Sequence, residues 1–345
     1  MNSTIALFLL QDGIINGAIY ALLGVTLVLL FTVTRIIFIP QGEFVAFGAL
    51  TLATLEAGTV PGTAWLLLWL GIAAAGVDIL RERRRLSLTY VCRRLAIDIA
   101  APLALLFMIL WLSRLKLGLP VDVALTLAVM VPLGPLVYRL AFQPLADASV
   151  LVLFIAAIGV HFAMIGLGLA FFGAEGFSTT AFWEGAFKLG ALRITGQSVC
   201  VLVTAALLLP SLYLFFEHTR LGKAFRATAI NRLGARLVGI PVRTTGRYAF
   251  ALAAAIGTVS GLLIGPMTTI YYDSGFLIGL KGFVAAIFGG LVSYPLTAFA
   301  AILIGVFESY STFFASAFKE VIVFSLIIPV LLWLSLAGVS TEEEE

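Results

Sequence analysis

Four polar side chains interrupt long apolar stretches near the start of the chain: Asn16, Tyr20, Gln41 and Glu43. Asn16 and Tyr20 are four residues apart, which places them on one face of a helix. They could line a path and bond a solute amine or carboxylate, or they could equally bond a neighbouring helix. Glu43 lies near the inner end of an apolar segment, where we expect it to be interfacial and hydrated, with a role in a path or gate as the alternative.

Residues suited to catalysis or metal binding are scarce. The chain has two histidines, His161 and His218, and two cysteines, Cys92 and Cys200. No trio of nucleophile, base and orienting group is evident, and no metal-ligand spacing occurs. No G-x-x-x-x-G-K-[ST] phosphate-binding loop is present, so ATP hydrolysis by that route is excluded. We therefore expect neither an enzyme nor a bound cofactor or metal, and we expect His161 to bond a neighbouring helix.

The elements that carry these residues are predicted by composition. Of 345 residues, 61% are hydrophobic and 11% are charged, whereas soluble domains have roughly 45–50% apolar and about 25% charged residues. The apolar runs are continuous rather than alternating, which excludes a β-barrel and favours helices of about 20 residues that span a bilayer. We predict an all-α, polytopic transmembrane bundle that forms a single domain over residues 1–345, with about 8–10 spans.

Ten apolar segments are candidates for these spans. The ninth contains Gly289-Gly290 and Ser293-Tyr294-Pro295, which predict a break into two half-helices or a re-entrant hairpin. The segments are 14–34, 37–55, 62–80, 95–113, 121–139, 150–172, 198–216, 248–268, 281–306 and 318–338.

Two connecting loops are rich in arginine and lysine, residues 81–94 and 217–247. Four predicted spans separate them, so both are expected on one side, which the positive-inside rule makes cytoplasmic. The loop 173–197 and the N-terminus are then outside, and the side of the acidic C-terminal tail stays open. We expect no cleavable signal peptide.

Asp78 and Asp98 flank the first loop and are expected to pair with its arginines, whereas Lys319 and Glu320 are expected to mark an interface. Juxtamembrane placement accounts for the basic loops better than nucleic-acid binding does.

The second basic loop contains a predicted amphipathic helix over residues 223–238. Gly239 is expected to stop this helix, and Pro241 to mark the exit. Such a helix could lie on an anionic membrane surface, act only as a topology signal, or dock into a groove on a cytoplasmic partner. Its apolar stripe consists of Ala229, Ile230, Leu233, Leu237 and Val238.

Several short motifs in this chain are distinctive in their order and spacing. The loop supplies Gly222, Arg226-Ala227, Asn231, Ala235, Leu237, Gly239-Ile240-Pro241-Val242 and Ala249-Phe250. The N-terminal part supplies Asn16-Gly17, Tyr20-Ala21-Leu22, Gly24, Gln41-Gly42-Glu43-Phe44 and Gly48-Ala49. Further motifs are Arg139, Gln143-Pro144-Leu145, Ala156 to Gly159, Gly279-Leu280-Lys281-Gly282-Phe283, Gly289-Gly290 and Lys319-Glu320-Val321.

In their order and spacing, these motifs resemble those of permeases of ATP-binding-cassette importers of the branched-chain amino acid (LivH/LivM) type. The resemblance implies a multi-pass permease subunit in a bacterial-type inner membrane. It would import branched-chain or other amino acids together with cytoplasmic ATPase subunits, an external solute-binding protein, and a second related permease or a copy of itself. The alternative is an ion-coupled secondary transporter or channel for a small polar solute such as urea or a short amide. The candidate path residues, proposed from their polarity within apolar spans, are Asn16, Tyr20, Gln41 and Glu43. The implied ATPase-coupling residues are Arg226, Ala229, Ile230, Leu233, Ala235, Leu237, Gly239 and Ile240.

Overall fold

A computed structural model describes residues 3–81, 88–113, 115, 117–189 and 192–336. Within these residues the chain is a bundle of α-helices with one small β-hairpin, which confirms the predicted all-α fold. The helices are α1 (Ser3–Thr34), α2 (Gln41–Glu56), α3 (Gly62–Arg81), α4 (Leu88–Leu95), α5 (Ala101–Leu112), α6 (Leu119–Val137), α7 (Val150–Phe172), α8 (Gly196–His218), α9 (Arg220–Ile230), α10 (Arg232–Leu237), α11 (Val242–Ile264), α12 (Ser274–Phe288), α13 (Tyr294–Ala315), α14 (Lys319–Ser325) and α15 (Ile327–Leu336). The hairpin pairs β1 (Ala186–Leu189) with β2 (Leu192–Thr195).

Eight helical segments in the described part of the chain are long and apolar enough to cross a membrane. This agrees with the predicted 8–10 spans. The predicted ninth span, 281–306, is wrong as a single element, but the predicted break is confirmed. α12 ends at Phe288, a turn occupies 289–293, and α13 begins at Tyr294. The predicted last span, 318–338, is likewise divided into α14 and α15 at Leu326, and the acidic tail lies outside the described residues.

The two basic loops lie at the same end of the bundle. Asp78 and Arg94, beside the first loop, line one cavity together with Arg236 and Arg243 from the second loop. This confirms the prediction that both loops share a side, although residues 82–87 lie outside the described residues. We name this the basic end. The β-hairpin lies at the other end, the hairpin end, close to the start of α1, because the Gln11 amide donates to the Arg193 carbonyl at 3.3 Å.

Two helices, α2 and α12, begin in the middle of the bundle. His161, the midpoint of the 23-residue α7, contacts Glu43 at the start of α2 and the Phe276 ring at the start of α12. With 16 and 15 residues, these helices are about 24 and 22 Å long at 1.5 Å per residue. Each is shorter than the hydrocarbon core of about 30 Å. From the centre, α2 runs to the hairpin end and α12 runs to the basic end.

The two half-helices belong to an inverted pair of units. α1 runs from the hairpin end to the basic end, and non-helical residues 35–40 lead back to α2. α11 runs in the opposite direction, from the basic end to the hairpin end, and residues 265–273 lead back to α12. Each unit is therefore a full helix, a non-helical return and a half-helix, the arrangement in which discontinuous helices occur in transporters.

The half-helices approach so closely that only glycine fits between them. A Cβ atom added to Gly42 would lie 1.9 Å from the Gly275 carbonyl oxygen, and one added to Gly275 would lie 2.4 Å from the Gly42 carbonyl oxygen. α1 and α11 pack around this contact. Helices α7 and α8 lie towards the outside of the bundle. In an 18-residue apolar stretch of each, 22% of the residues are buried, against 83% in α1.

Gly42→Ala is expected to destabilise the fold by about 1–3 kcal/mol or more, because the added methyl group would meet backbone that cannot rotate away. The matched control is Gly159→Ala in α7, where a Cβ would contact nothing within 4 Å. There, the gain in helix propensity should leave stability equal or slightly higher. Thermal unfolding of the detergent-purified variants measures both. Equal stability of Gly42→Ala and the unmodified protein would contradict the close contact.

Candidate functional site

The predicted helix over residues 223–238 is wrong as a single element, because Asn231 divides it. Asn231 has extended backbone angles (φ −150°, ψ 102°) and separates α9 from α10. Its Oδ1 accepts a hydrogen bond from the Gly234 N–H at 2.7 Å. Asparagine is a strong N-cap residue, so this side chain ends one helix and starts the next.

The predicted stop at Gly239 is confirmed. Gly239 has φ +85°, a conformation that favours glycine. The Ile240 N–H then donates to the Ala235 carbonyl at 2.9 Å, which closes the end of α10. Pro241 directly precedes α11, so the chain enters its next long helix within a few residues of the turn.

The apolar stripe of this loop is exposed. Ile230, Leu233, Leu237 and Val238 are 86%, 67%, 80% and 76% exposed, and we call these four residues the apolar patch. Of the other predicted coupling residues, Ala229 and Ile240 are half-buried, Ala235 is buried, and Arg226 is exposed and pairs with Glu217. A clustered apolar surface of this kind typically marks a site of contact with another protein or a membrane.

The opposite side of α9 and α10 is fixed to the bundle. Phe225 is buried against the rings of Phe215 and Phe216 in α8. Arg232 donates to the Ala146 carbonyl at 3.2 Å, and Arg236 donates to the Asp147 carboxylate at 2.9 Å. The hydrogen bond from Arg236 lowers the pKa of Asp147, so the pair stays charged at neutral pH. The apolar patch is therefore held in a fixed orientation.

Residues 143–147 connect this surface to a buried ion network. They follow the π-helical segment Tyr138–Phe142, which carries Arg139. Arg139 donates to both Asp98 oxygens at 2.6 and 2.8 Å and to Asp78 at 2.7 Å. Asp98 also lies in a π-helical segment, Ala96–Ala100, and such segments often occur at functional sites.

Pairing of Asp78 and Asp98 with the first basic loop is confirmed. Arg94 lies 3.3 Å from Asp78 and 3.8 Å from Asp98. The closer partner, Arg139, was not predicted as such from the sequence. The sequence does indicate such a pair, because an arginine at the end of an apolar span is expected to pair with a buried carboxylate.

Glu43 is buried, so the expectation of a hydrated position is wrong. Its side chain is 0% exposed, and its Oε1 lies 2.8 Å from the His161 Nδ1. The second oxygen has no hydrogen-bond partner among the described residues and lies beside Gly275. Glu43 stands in the first turn of α2 and beside the start of α12, where helix dipoles favour a negative charge. The predicted helix-to-helix bond of His161 is confirmed.

Gln41 is buried at the same crossing. Its amide nitrogen donates to the Ala253 carbonyl in α11 at 3.0 Å. Gln41 and Glu43 thus join α2 to α11 and α7 at the depth where the half-helices meet.

Tyr20 belongs to a different buried cluster. Its hydroxyl donates to Glu308 in α13 at 2.6 Å, and the Lys281 ammonium in α12 donates to the other Glu308 oxygen at 2.5 Å. Lys281 also reaches Glu320 at 3.3 Å. Tyr20 therefore bonds a neighbouring helix, one of its two predicted alternatives, and Asn16 lies half-buried one turn before it. Among the described residues, no hydrogen bond joins Tyr20 to Gln41 or Glu43, and the path role of the four residues stays a prediction.

The family model described as branched-chain amino acid transport system / permease component matches residues 94–331 of this chain. LivH of Escherichia coli (strain K12), a high-affinity branched-chain amino acid transport system permease protein, is 28% identical over 201 residues, 56% of this chain and 65% of LivH. BraD of Pseudomonas aeruginosa, described in the same terms, is 29% identical over 207 residues, 58% of this chain and 67% of BraD. A probable branched-chain amino acid transport permease protein LivH of Methanocaldococcus jannaschii is 31% identical over 192 residues, 53% of this chain and 60% of that protein.

The matches thus span about two thirds or less of these relatives' length. No solved structure matches this chain.

Lys281→Met is expected to destabilise the protein by about 3–5 kcal/mol, because it leaves the buried Glu308 carboxylate without its cation. Adding Glu308→Gln to Lys281→Met should recover part of this loss, since the removed charges compensate each other. The control is Lys319→Met, whose ammonium is 4.0 Å from Glu320 and is 41% exposed. It should change stability by less than about 0.5 kcal/mol. Thermal unfolding in detergent compares the three variants, and equal effects of Lys281→Met and Lys319→Met would exclude a buried ion pair.

Proposed function

This chain belongs to the family of branched-chain amino acid transport permeases, and from that membership we propose that it is the membrane-spanning subunit of an ATP-binding-cassette importer. The importer would move branched-chain or other amino acids from an external binding protein to the cytoplasm. Cytoplasmic ATPase subunits would supply the energy, and a second related permease, or a second copy of this chain, would complete the complex. The location would be a bacterial-type inner membrane, with the basic end in the cytoplasm.

The observation that carries this proposal is the exposed apolar patch on a fixed support. An amphipathic helix that docks into a partner's groove presents apolar anchors a turn apart. Leu233 and Leu237 have that spacing on α10, and Ile230 is the last residue of α9. A segment acting only as a topology signal would need charge but no ordered apolar surface. Phe225 and Arg236 fix the orientation of the patch. A shaped groove on a protein needs docked side chains in one orientation, whereas a fluid membrane surface does not. The fixed orientation therefore favours a protein partner.

Coupling would pass from the patch into the bundle through residues 143–147. Arg232 and Arg236 hold this segment. Arg139, in the π-helical segment directly before it, holds α3 and the π-helical turn before α5 through Asp78 and Asp98. Ion pairs between rigid helices can exist in two discrete arrangements, which suits a two-state element that ATP binding biases.

The solute path is proposed to lie between two permease subunits. At the centre of this chain the half-helices are in backbone contact at Gly42 and Gly275, which closes the bundle at that depth. A path through a single chain would require the two half-helices to separate. A path beside the half-helices would run along the exposed side of their crossing, where Asp273 is exposed just before α12.

The ion-coupled alternative is supported by one observation. Glu43 and Glu308 are buried carboxylates at membrane depth, as ion-coupled transporters require. Glu43 pairs with His161, however, and Glu308 pairs with Lys281, so each has a protein partner in place of an ion.

Replacing Ile230, Leu233 and Leu237 with aspartate should abolish ATPase association while the permease still folds and inserts, because these side chains are exposed. The matched control is Val292→Asp, an apolar residue that is 68% exposed in the turn before α13 at the same end. Co-purification of the ATPase subunits with tagged permease reads out both variants. If the triple variant retains the ATPase, or if Val292→Asp releases it equally, the patch is not the docking site.

Uptake of leucine into proteoliposomes should require the neighbouring ATPase, the second permease and the external binding protein, together with ATP. A proton ionophore and removal of sodium should not reduce uptake, whereas ATP removal should reduce it to background. Valine, isoleucine, urea and a short amide are added as competitors in the same assay. The compounds that reduce leucine uptake identify the solute class. Uptake that persists without ATP and collapses with the ionophore would replace the importer with the ion-coupled alternative.

A further inference from the structure

A basic cavity opens at the basic end, beside but separate from the apolar patch. Its volume is about 860 Å³, and it lies between α10, the start of α11, the end of α3 and the end of α4. Four arginines line it, Arg94, Arg236, Arg243 and Arg247. None of the four residues of the apolar patch is among its lining residues.

Positive charge exceeds negative charge in this cavity. The acidic lining residues are Asp78 and Asp147, and each already pairs with an arginine, Asp78 with Arg94 and Asp147 with Arg236. The remaining guanidinium groups, of Arg243 and Arg247, have no carboxylate in contact among the described residues. The cavity therefore has room for an anionic group.

Arg247 is positioned by a neutral side chain. Its Nε and Nη2 both donate to the Gln143 amide oxygen, at 3.0 and 2.9 Å. This contact orients the guanidinium but adds no negative charge beside it. Arg243, one helical turn earlier on α11, is exposed and makes no salt bridge or side-chain hydrogen bond within the described part of the chain. An arginine pair at i and i+4 lies on one helix face, which suits two contacts to one phosphate.

The start of α11 adds to the same field. This helix has 23 residues and begins at Val242 without a side-chain N-cap. Val242 itself lines the cavity, so the positive end of the helix dipole faces the same space as the arginines.

The surroundings favour a lipid over a soluble anion. Arg94 and Arg247 lie at the beginnings of two apolar segments long enough to span a membrane, Cys92–Leu112 and Val242–Ile264, which is the depth of lipid headgroups. Leu95 and Ile97, which follow Arg94 in the chain, are apolar and are 40% and 55% exposed. Basic pockets between membrane helices at the cytoplasmic side bind anionic headgroups.

We propose that this cavity binds the phosphate of an anionic glycerophospholipid through Arg243 and Arg247, with the acyl chains along the exposed face of the Leu95–Leu112 region. The bound lipid would brace the junction between α10 and α11 against the ends of α3 and the helical segment containing α4. This proposal depends on membrane insertion and does not depend on which solute the protein carries.

Native mass spectrometry of the detergent-purified full chain tests the site with phosphatidylglycerol and phosphatidylcholine as probes. The unmodified protein should retain phosphatidylglycerol in preference to phosphatidylcholine. Arg243→Gln/Arg247→Gln should weaken phosphatidylglycerol binding roughly tenfold or more, the scale expected from two arginine contacts near a membrane surface. The control, Lys188→Gln/Arg193→Gln, makes the same charge change on the exposed β-hairpin at the other end and should bind as the unmodified protein does.

Three results would overturn the proposal. One is unchanged phosphatidylglycerol binding in the cavity variant, and another is full displacement of the lipid by millimolar inorganic phosphate, which would indicate a site for the free anion. The third is loss of ATPase co-purification without loss of lipid, which would assign the arginines to an acidic protein group. Should the double variant fail to fold, Arg243→Gln alone is measured, since that side chain makes no salt bridge or side-chain hydrogen bond within the described part of the chain.

Discussion

The structure depends on backbone contact between two glycines at the centre of the bundle. In a bilayer, non-helical backbone and free helix ends are tolerated only where protein covers them. Here two helices begin at that depth, and Gly42 and Gly275 let their first turns touch. The return before α2 is covered by aromatic rings, with Phe38 against Phe44, Phe142 and Phe250. The return before α12 is paired by backbone hydrogen bonds between Ile270 and Phe177. Without these coverings, a pair of half-helices would expose polar groups to lipid.

Buried polar side chains then fix each half-helix to full-length neighbours. Gln41 and Glu43 bind α2 to α11 and α7, while Lys281 binds α12 to α13. Removing one member of such a pair is costly, because the other charge stays buried. The same feature allows a change of state, since ion pairs between rigid helices are either made or broken. The centre of the bundle therefore combines a tight steric contact with a few strong polar ones.

The basic end combines three surfaces within a short distance. The apolar patch faces away from the bundle, the segment 143–147 lies behind it, and the arginine-lined cavity lies beside it. Arg236 belongs to both the support of the patch and the wall of the cavity. A partner at the patch and a lipid in the cavity would act on the same junction between α10 and α11. The membrane composition and the proposed ATPase would then both influence this junction.

The sequence by itself determined the membrane class, the positions of most of the long helices, and the break at 289–293. It was wrong in predicting a full span at 37–55, where the structure has the half-helix α2. These follow from apolar run length and from local breakers such as Gly289, Ser293 and Pro295, which act over a few residues. It also identified Gly239 as a helix end and the stripe from Ile230 to Val238. It missed the division at Asn231, where a local side-chain cap overrides helical spacing.

Tertiary structure alone decided the partners of the polar residues. Glu43 meets a residue 118 positions away, Tyr20 one 288 positions away, and Arg139 one 41 positions away. Apolar residues are spread nearly evenly around helices such as α1. Their pattern therefore cannot show which face of the helix meets which neighbour. That choice depends on where backbones can approach, and in this bundle glycines on separate helices set those approaches.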